Sequence, residues 1–174
     1  MKFIIGNWKM NGTRKEKDTM FKELSKIKTK NKIVMCLPFT LLAGENHNIT
    51  LGAQDVSNHN NGAYTGDISA TMLKDAGAQY VIVGHSERRL YHNETNEMVK
   101  QKATMAIQNR LIPIICVGET LDERESGKTE KIIKEIKHVK TEFQRSFRKY
   151  KLVTAVERTF DQGISGLIHQ DPFF

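Results

Sequence analysis

Short apolar runs alternate with amphipathic stretches along most of the chain. Phe3 to Ile5, Ile33 to Leu37, Ile49 to Leu51 with Ala53, Tyr80 to Val83 and Ile112 to Val117 are rich in Ile and Val, and each is closed by Gly, Pro or a polar turn. These are five predicted strands. Between them the pattern predicts a helix from Thr13 to Lys30, with Met20, Leu24 and Ile27 at helical spacing and Phe21 beside them. A weak segment follows around Leu41 to Asn46. A short helix spans Ser69 to Ala76, with Ser69 a fitting N-cap and Gly77 a fitting C′ residue, and a longer helix runs from Asn93 to Arg110. The clearest amphipathic stretch is Thr129 to Lys149, where Ile132, Ile136, Val139, Phe143 and Phe147 keep to one face. Strands apolar on both faces, each followed by a helix, imply a parallel sheet with right-handed crossovers, so the class is α/β. Leu152 to Val156 is a possible sixth strand. From Glu157 to Phe174 neither period is visible.

The chain has 174 residues and a formal net charge of +7, which fits one domain. The basic residues do not form a nucleic-acid patch. Lys15, Lys22, Lys26 and Lys30, and then Lys131, Lys134, Lys137 and Lys140, fall on the wet faces of the predicted helices, without interleaved aromatics. No apolar stretch approaches the roughly 18 residues of a membrane span, and Met1 to Ile5 meets Gly6 too soon for a signal peptide. An intracellular, cytoplasmic protein is expected. Cys36 and Cys116 lie in apolar runs and are read as reduced core residues. The six His residues show no HExxH spacing, and no Cys–His set resembles a zinc site, so no metal is expected.

In parallel α/β folds reactive groups gather at the carboxyl ends of strands. Asn7, Trp8 and Lys9 follow the first predicted strand; Gly84, His85, Ser86 and Glu87 follow the fourth; Gly118, Glu119 and Thr120 follow the fifth. Position alone leaves two readings for each. Lys9 is a site residue or a surface turn residue, His85 a site residue or a helix-entry residue, and Glu87 a partner of Lys9 or a solvent-facing side chain.

Four segments carry a resemblance. Gly6-Asn7-Trp8-Lys9-Met10-Asn11, Gly62-Ala63-Tyr64-Thr65-Gly66, Val83-Gly84-His85-Ser86-Glu87-Arg88-Arg89 and Cys116-Val117-Gly118-Glu119-Thr120 resemble, in order, the signature segments of the triosephosphate isomerase family. The resemblance covers about residues 1–140. It implies a TIM (β/α)8 barrel, here incomplete with about five to six βα units, because the complete fold needs about 250 residues. It also implies interconversion of dihydroxyacetone phosphate and glyceraldehyde 3-phosphate in glycolysis and gluconeogenesis, without a cofactor. Asn7 and Lys9 are then the expected substrate-binding residues, and Lys9, His85 and Glu87 the expected catalytic ones. In the family the histidine is a neutral electrophile beside a helix N-terminus and works with a glutamate base. The matching loop, Asn58 to Gly66, reaches into the other subunit, which implies a homodimer.

The tail, residues 141–174, diverges. Where the family carries its base after the sixth strand, this chain reads Ala155-Val156-Glu157-Arg158-Thr159-Phe160-Asp161-Gln162-Gly163, which leaves Glu157 as candidate base and lacks the hinge proline. A shifted reading frame from about Thr141 and a genuinely divergent tail both account for this. The alternative function is an inactive remnant with an interaction role through residues 58–66. An unclosed barrel is expected to leave two edge strands and an exposed interior.

Overall fold

The structure, a computed structural model, describes residues 2–117 together with the strand segments 153–159 and 165–169. The Thr129 to Lys149 helix and Gly118-Glu119-Thr120 lie outside the described residues. Strands β1 (Phe3–Asn7), β2 (Lys32–Leu37), β3 (Thr50–Ala53), β4 (Tyr80–Val83) and β5 (Ile112–Val117) pair in parallel in chain order, followed by β6 (Val153–Thr159). Helix α1 (Arg14–Ser25) joins β1 to β2, α2 (Ala70–Asp75) joins β3 to β4, and α3 (Ser86–His92) with α4 (Asn96–Gln108) joins β4 to β5. Among the described residues no helix is long and apolar enough to cross a membrane.

Strand alternation sorts the core into two layers. Ile5, Val34, Cys36, Tyr80, Ile82, Ile114 and Cys116 form one cluster, on the inner face of the barrel. The intervening residues, among them Met35, Leu37, Val81, Val83 and Ile115, face outward into a second cluster completed by Phe21, Leu73, Val99 and Ala103 from the helices. The inner layer is tight: a Cβ at Gly52 would stand 2.5 Å from the Cys36 sulfur, its register partner on β2. Both cysteines are buried in the core, as their apolar runs suggested.

The expectation of two open edges is overturned. A seventh strand, β7 (Ser165–His169), pairs antiparallel with both β6 and β1 and closes the barrel. The count of βα units remains incomplete, but β1 and β6 are both paired. The sixth strand also starts one residue later and runs three residues further than the apolar run alone indicated, because pairing with β7 carries it through Thr159.

Two helices depart from the pattern. Helix α1 stops at Ser25, short of the expected Lys30; its buried positions are Lys17 and Phe21, with Leu24 partly buried, whereas Met20 and, beyond the helix end, Ile27 are exposed. Lys17 can be buried because its ammonium donates to the carbonyl of Ala43 at 3.0 Å. The helix expected from Asn93 begins only at Asn96: Asn93, at φ 54, instead ends the preceding helix α3 in the left-handed region, and Thr95 caps α4 through the N–H of Met98. Around residue 41 the chain forms a single 3-10 turn, Phe39–Leu41.

Candidate active site

The carboxyl ends of β1, β3 and β4 bring together Asn7, Lys9, Gln54, His85 and Glu87. β4 ends at Val83, and Gly84 turns the chain at φ 70, where an added Cβ would meet Val99 at 2.7 Å. Only glycine meets both demands without strain. His85 is then delivered as the N-cap of α3, buried, with Nδ1 accepting the Glu87 backbone N–H at 3.3 Å. Nε2 lies 3.1 Å from the Asn7 side-chain nitrogen. The two nitrogens are within hydrogen-bond distance, and an oxygen that gains negative charge could insert beside them and take a donor from each.

Lys9 lies beside them. Its backbone is left-handed at φ 51, a conformation that costs a non-glycine residue about 1–3 kcal/mol and persists only where its surroundings enforce it. Here its N–H donates to Asn7 Oδ1 at 3.0 Å and its carbonyl accepts from Gln54 Nε2 at 2.9 Å. Its ammonium meets Glu87 Oε1 at 2.8 Å, and the Glu87 side chain is 44% exposed. The pair therefore stays within reach of solvent and of an incoming anion.

β6 carries Glu157 to the same end of the barrel. Cys116 pairs with Ala155, so the alternating positions Ala155, Glu157 and Thr159 lie on the inner face. Glu157 pairs with Leu167, which pairs with Ile5; Thr159 pairs with Ser165, which pairs with Asn7. Asn7, Lys9, His85, Glu87 and the register position of Glu157 thus share one barrel mouth. Gln54 was not singled out by the sequence. Its position directly after a strand is the only sequence signal that pointed to it.

A buried ionic cluster holds α3 in place. Arg88 and Lys102 both bind Glu94, and both reach Asp55, at 2.9 Å and 2.7 Å. Burial pushes the Glu94 carboxyl up, but hydrogen bonds from Lys102 and Arg88 prevail and hold it below its ordinary value of 4.5. For Asp55 burial prevails over Lys102 and Arg88, and its carboxyl is raised above 3.8. The signs are opposite. A lowered acid stabilises the fold above its ordinary value and loses that contribution as the pH falls, whereas a raised acid is relieved by protonation. Lys102→Met leaves buried Glu94 and half-buried Asp55 to share Arg88 alone, and is expected to cost about 3 kcal/mol in urea unfolding at neutral pH, the lower end of the cost of removing one partner from a buried ion pair. Glu94→Gln should lose less stability than the wild type on acidification below pH 4.5, the wild type alone having the Glu94 contribution to lose.

Fold and site together define an α/β barrel with its polar centre at the carboxyl ends of the strands. The chain belongs to the triosephosphate isomerase family, whose model matches residues 2–158. It is 50% identical over 142 residues to the triosephosphate isomerase of Dictyoglomus turgidum, covering 77% of this chain and 57% of that protein. It is 42% identical over 139 residues to that of Vesicomyosocius okutanii, with 76% and 56% covered. The crystal structure of the enzyme from Bartonella henselae matches with a TM-score of 0.73 at 37% identity, over 89% of this chain and 67% of that one. The chain spans little more than half the length of the curated relatives it matches.

Proposed function

We propose that this chain interconverts dihydroxyacetone phosphate and glyceraldehyde 3-phosphate, the isomerisation of glycolysis and gluconeogenesis, in the cytoplasm. The observation that carries the proposal is the meeting of the Asn7 amide, His85 Nε2 and the Lys9 ammonium at one mouth. Removing a proton from a carbon beside a carbonyl moves electrons onto the carbonyl oxygen, and that oxygen needs donors. Asn7 and His85 supply them. Lys9 supplies a fixed positive charge for the phosphate and the enediolate, and Glu87 holds Lys9 by the ion pair. Glu157 is the base that takes the proton and returns it to the neighbouring carbon. No cofactor enters.

A coupled assay of the purified chain tests this. Turnover above buffer is expected, reduced about 10²- to 10³-fold by His85→Gln, the loss that follows removal of an oxyanion donor. A rate equal to buffer would leave the inactive-remnant reading.

The same proposal includes a homodimer. Met10 is 95% exposed at the rim of a cavity of about 450 Å³ that Phe39, Asn58, His92 and Met98 also line. The loop from residue 58 to 66 is closed at its neck by Ser57 N–H to Ile68 O at 2.9 Å and Ser57 Oγ to Asp67 Oδ2 at 2.6 Å. Its His59 and Tyr64 rings stack at 3.8 Å. A shaped loop beside a cavity on one copy suits a two-fold interface. Sedimentation equilibrium is expected to give a dimer, and Tyr64→Glu a monomer.

A further inference from the structure

We infer that Gln54 is a positioning residue for this site: its side-chain amide fixes which end of the Asn7 amide faces His85 and holds Lys9 in its left-handed backbone. The inference rests on the isomerase reading for its kinetic effect, though not for its structural one. Gln54 follows β3 directly and is half-buried between β1 and β2. One nitrogen, Nε2, lies within bonding distance of three oxygens: Asn7 Oδ1 at 3.2 Å, the Lys9 carbonyl at 2.9 Å and the Cys36 carbonyl at 3.1 Å.

Each contact has a separate consequence. An asparagine amide can rotate by half a turn and exchange its oxygen and nitrogen with little change in shape. Here Oδ1 takes a bond from Gln54 and another from the Lys9 N–H, so the flipped amide would set its own NH2 against two donors. Nδ2 is left to face His85 Nε2. The Lys9 carbonyl is similarly tied, which fixes ψ at a residue already at an unfavourable φ. The Cys36 carbonyl, at the carboxyl end of β2, accepts from Gln54 and also from the Trp8 N–H at 3.0 Å, so the bridge is anchored on the sheet. Among the described residues, Gln54 hydrogen-bonds to Asn7, Lys9 and Cys36. It acts through the residues that hold the substrate.

Gln54→Met keeps the length of the side chain and removes the amide; Gln54→Glu keeps the shape and turns the donor into an acceptor facing three oxygens. In the full-length chain both are expected to lower kcat by about 10- to 100-fold, the scale of a small misplacement of reacting groups, with KM changing much less. Both should also shift the Asn7 side-chain amide and the His85 ring nitrogens in 15N-resolved spectra. The Gln54→Met melting temperature should stay near that of the wild type, which excludes general unfolding. Unchanged Asn7 and His85 resonances in both variants would overturn the inference, with or without turnover. If the wild type shows no turnover, the isomerase reading fails and the resonances alone decide the role of Gln54.

Discussion

Glu157→Gln is expected to lower turnover by about 10³- to 10⁴-fold, the upper end of what a positioned base contributes. The change removes one ionisable group and almost no volume. β6 pairs through Ala155 with Cys116 and through Glu157 with Leu167, which brings the backbone position of Glu157 to the end of the barrel that holds Asn7. An amide there can still touch the substrate, so KM should change little while kcat collapses. Glu157→Asp withdraws the carboxylate by one methylene and should fall between the two. Steady-state kinetics with circular dichroism as a folding control checks this. A Glu157→Gln enzyme with near wild-type kcat would remove Glu157 from the mechanism and leave the barrel mouth without a base from β6.

The parts of this molecule that could be read from the chain are those whose signal is local. Strands β1 to β5 announced themselves because burial on both faces requires continuous apolar runs such as Tyr80 to Val83. Asn7, Lys9, His85 and Glu87 could be picked out as candidates because they directly follow such runs, but position left each with two readings, and only the resemblance of the segments around them gave them roles. β7 was not legible: Ser-Gly-Leu-Ile-His has only two apolar side chains, and its pairing with β1 spans nearly the whole chain. Strand formation of that kind is decided by neighbours rather than by propensity. The burial of Lys17 was not legible for a similar reason, since its partner, the Ala43 carbonyl, is brought to it only by the fold. Gln54 is the strongest case. Its three acceptors belong to residues 7, 9 and 36, and nothing in the sequence around residue 54 records their approach.

Ending the chain at Thr159 is expected to abolish the cooperative fold. β7 is the element that turns an open parallel sheet into a closed barrel, pairing with β1 from Asn7 to Phe3 and with β6 from Glu157 to Thr159. Without it β1 and β6 become edges, and the inner layer around Ile5, Val34 and Ile114 loses the strand that completes its enclosure. A parallel sheet opened in this way exposes apolar surface and unpaired backbone together, the combination that drives association. The shortened chain should elute as aggregate and melt without a sharp transition. Leu167→Pro provides a milder version in the full chain: it removes one backbone N–H from a strand paired on both sides and leaves its ladder partner unsatisfied, at a cost of about 1–3 kcal/mol. That variant should remain soluble enough for urea unfolding, with its midpoint lowered accordingly. A shortened chain that stayed monomeric and melted cooperatively near the wild-type temperature would mean that the parallel strands β1 to β6 hold together unaided, and that β7 closes a barrel already stable without it.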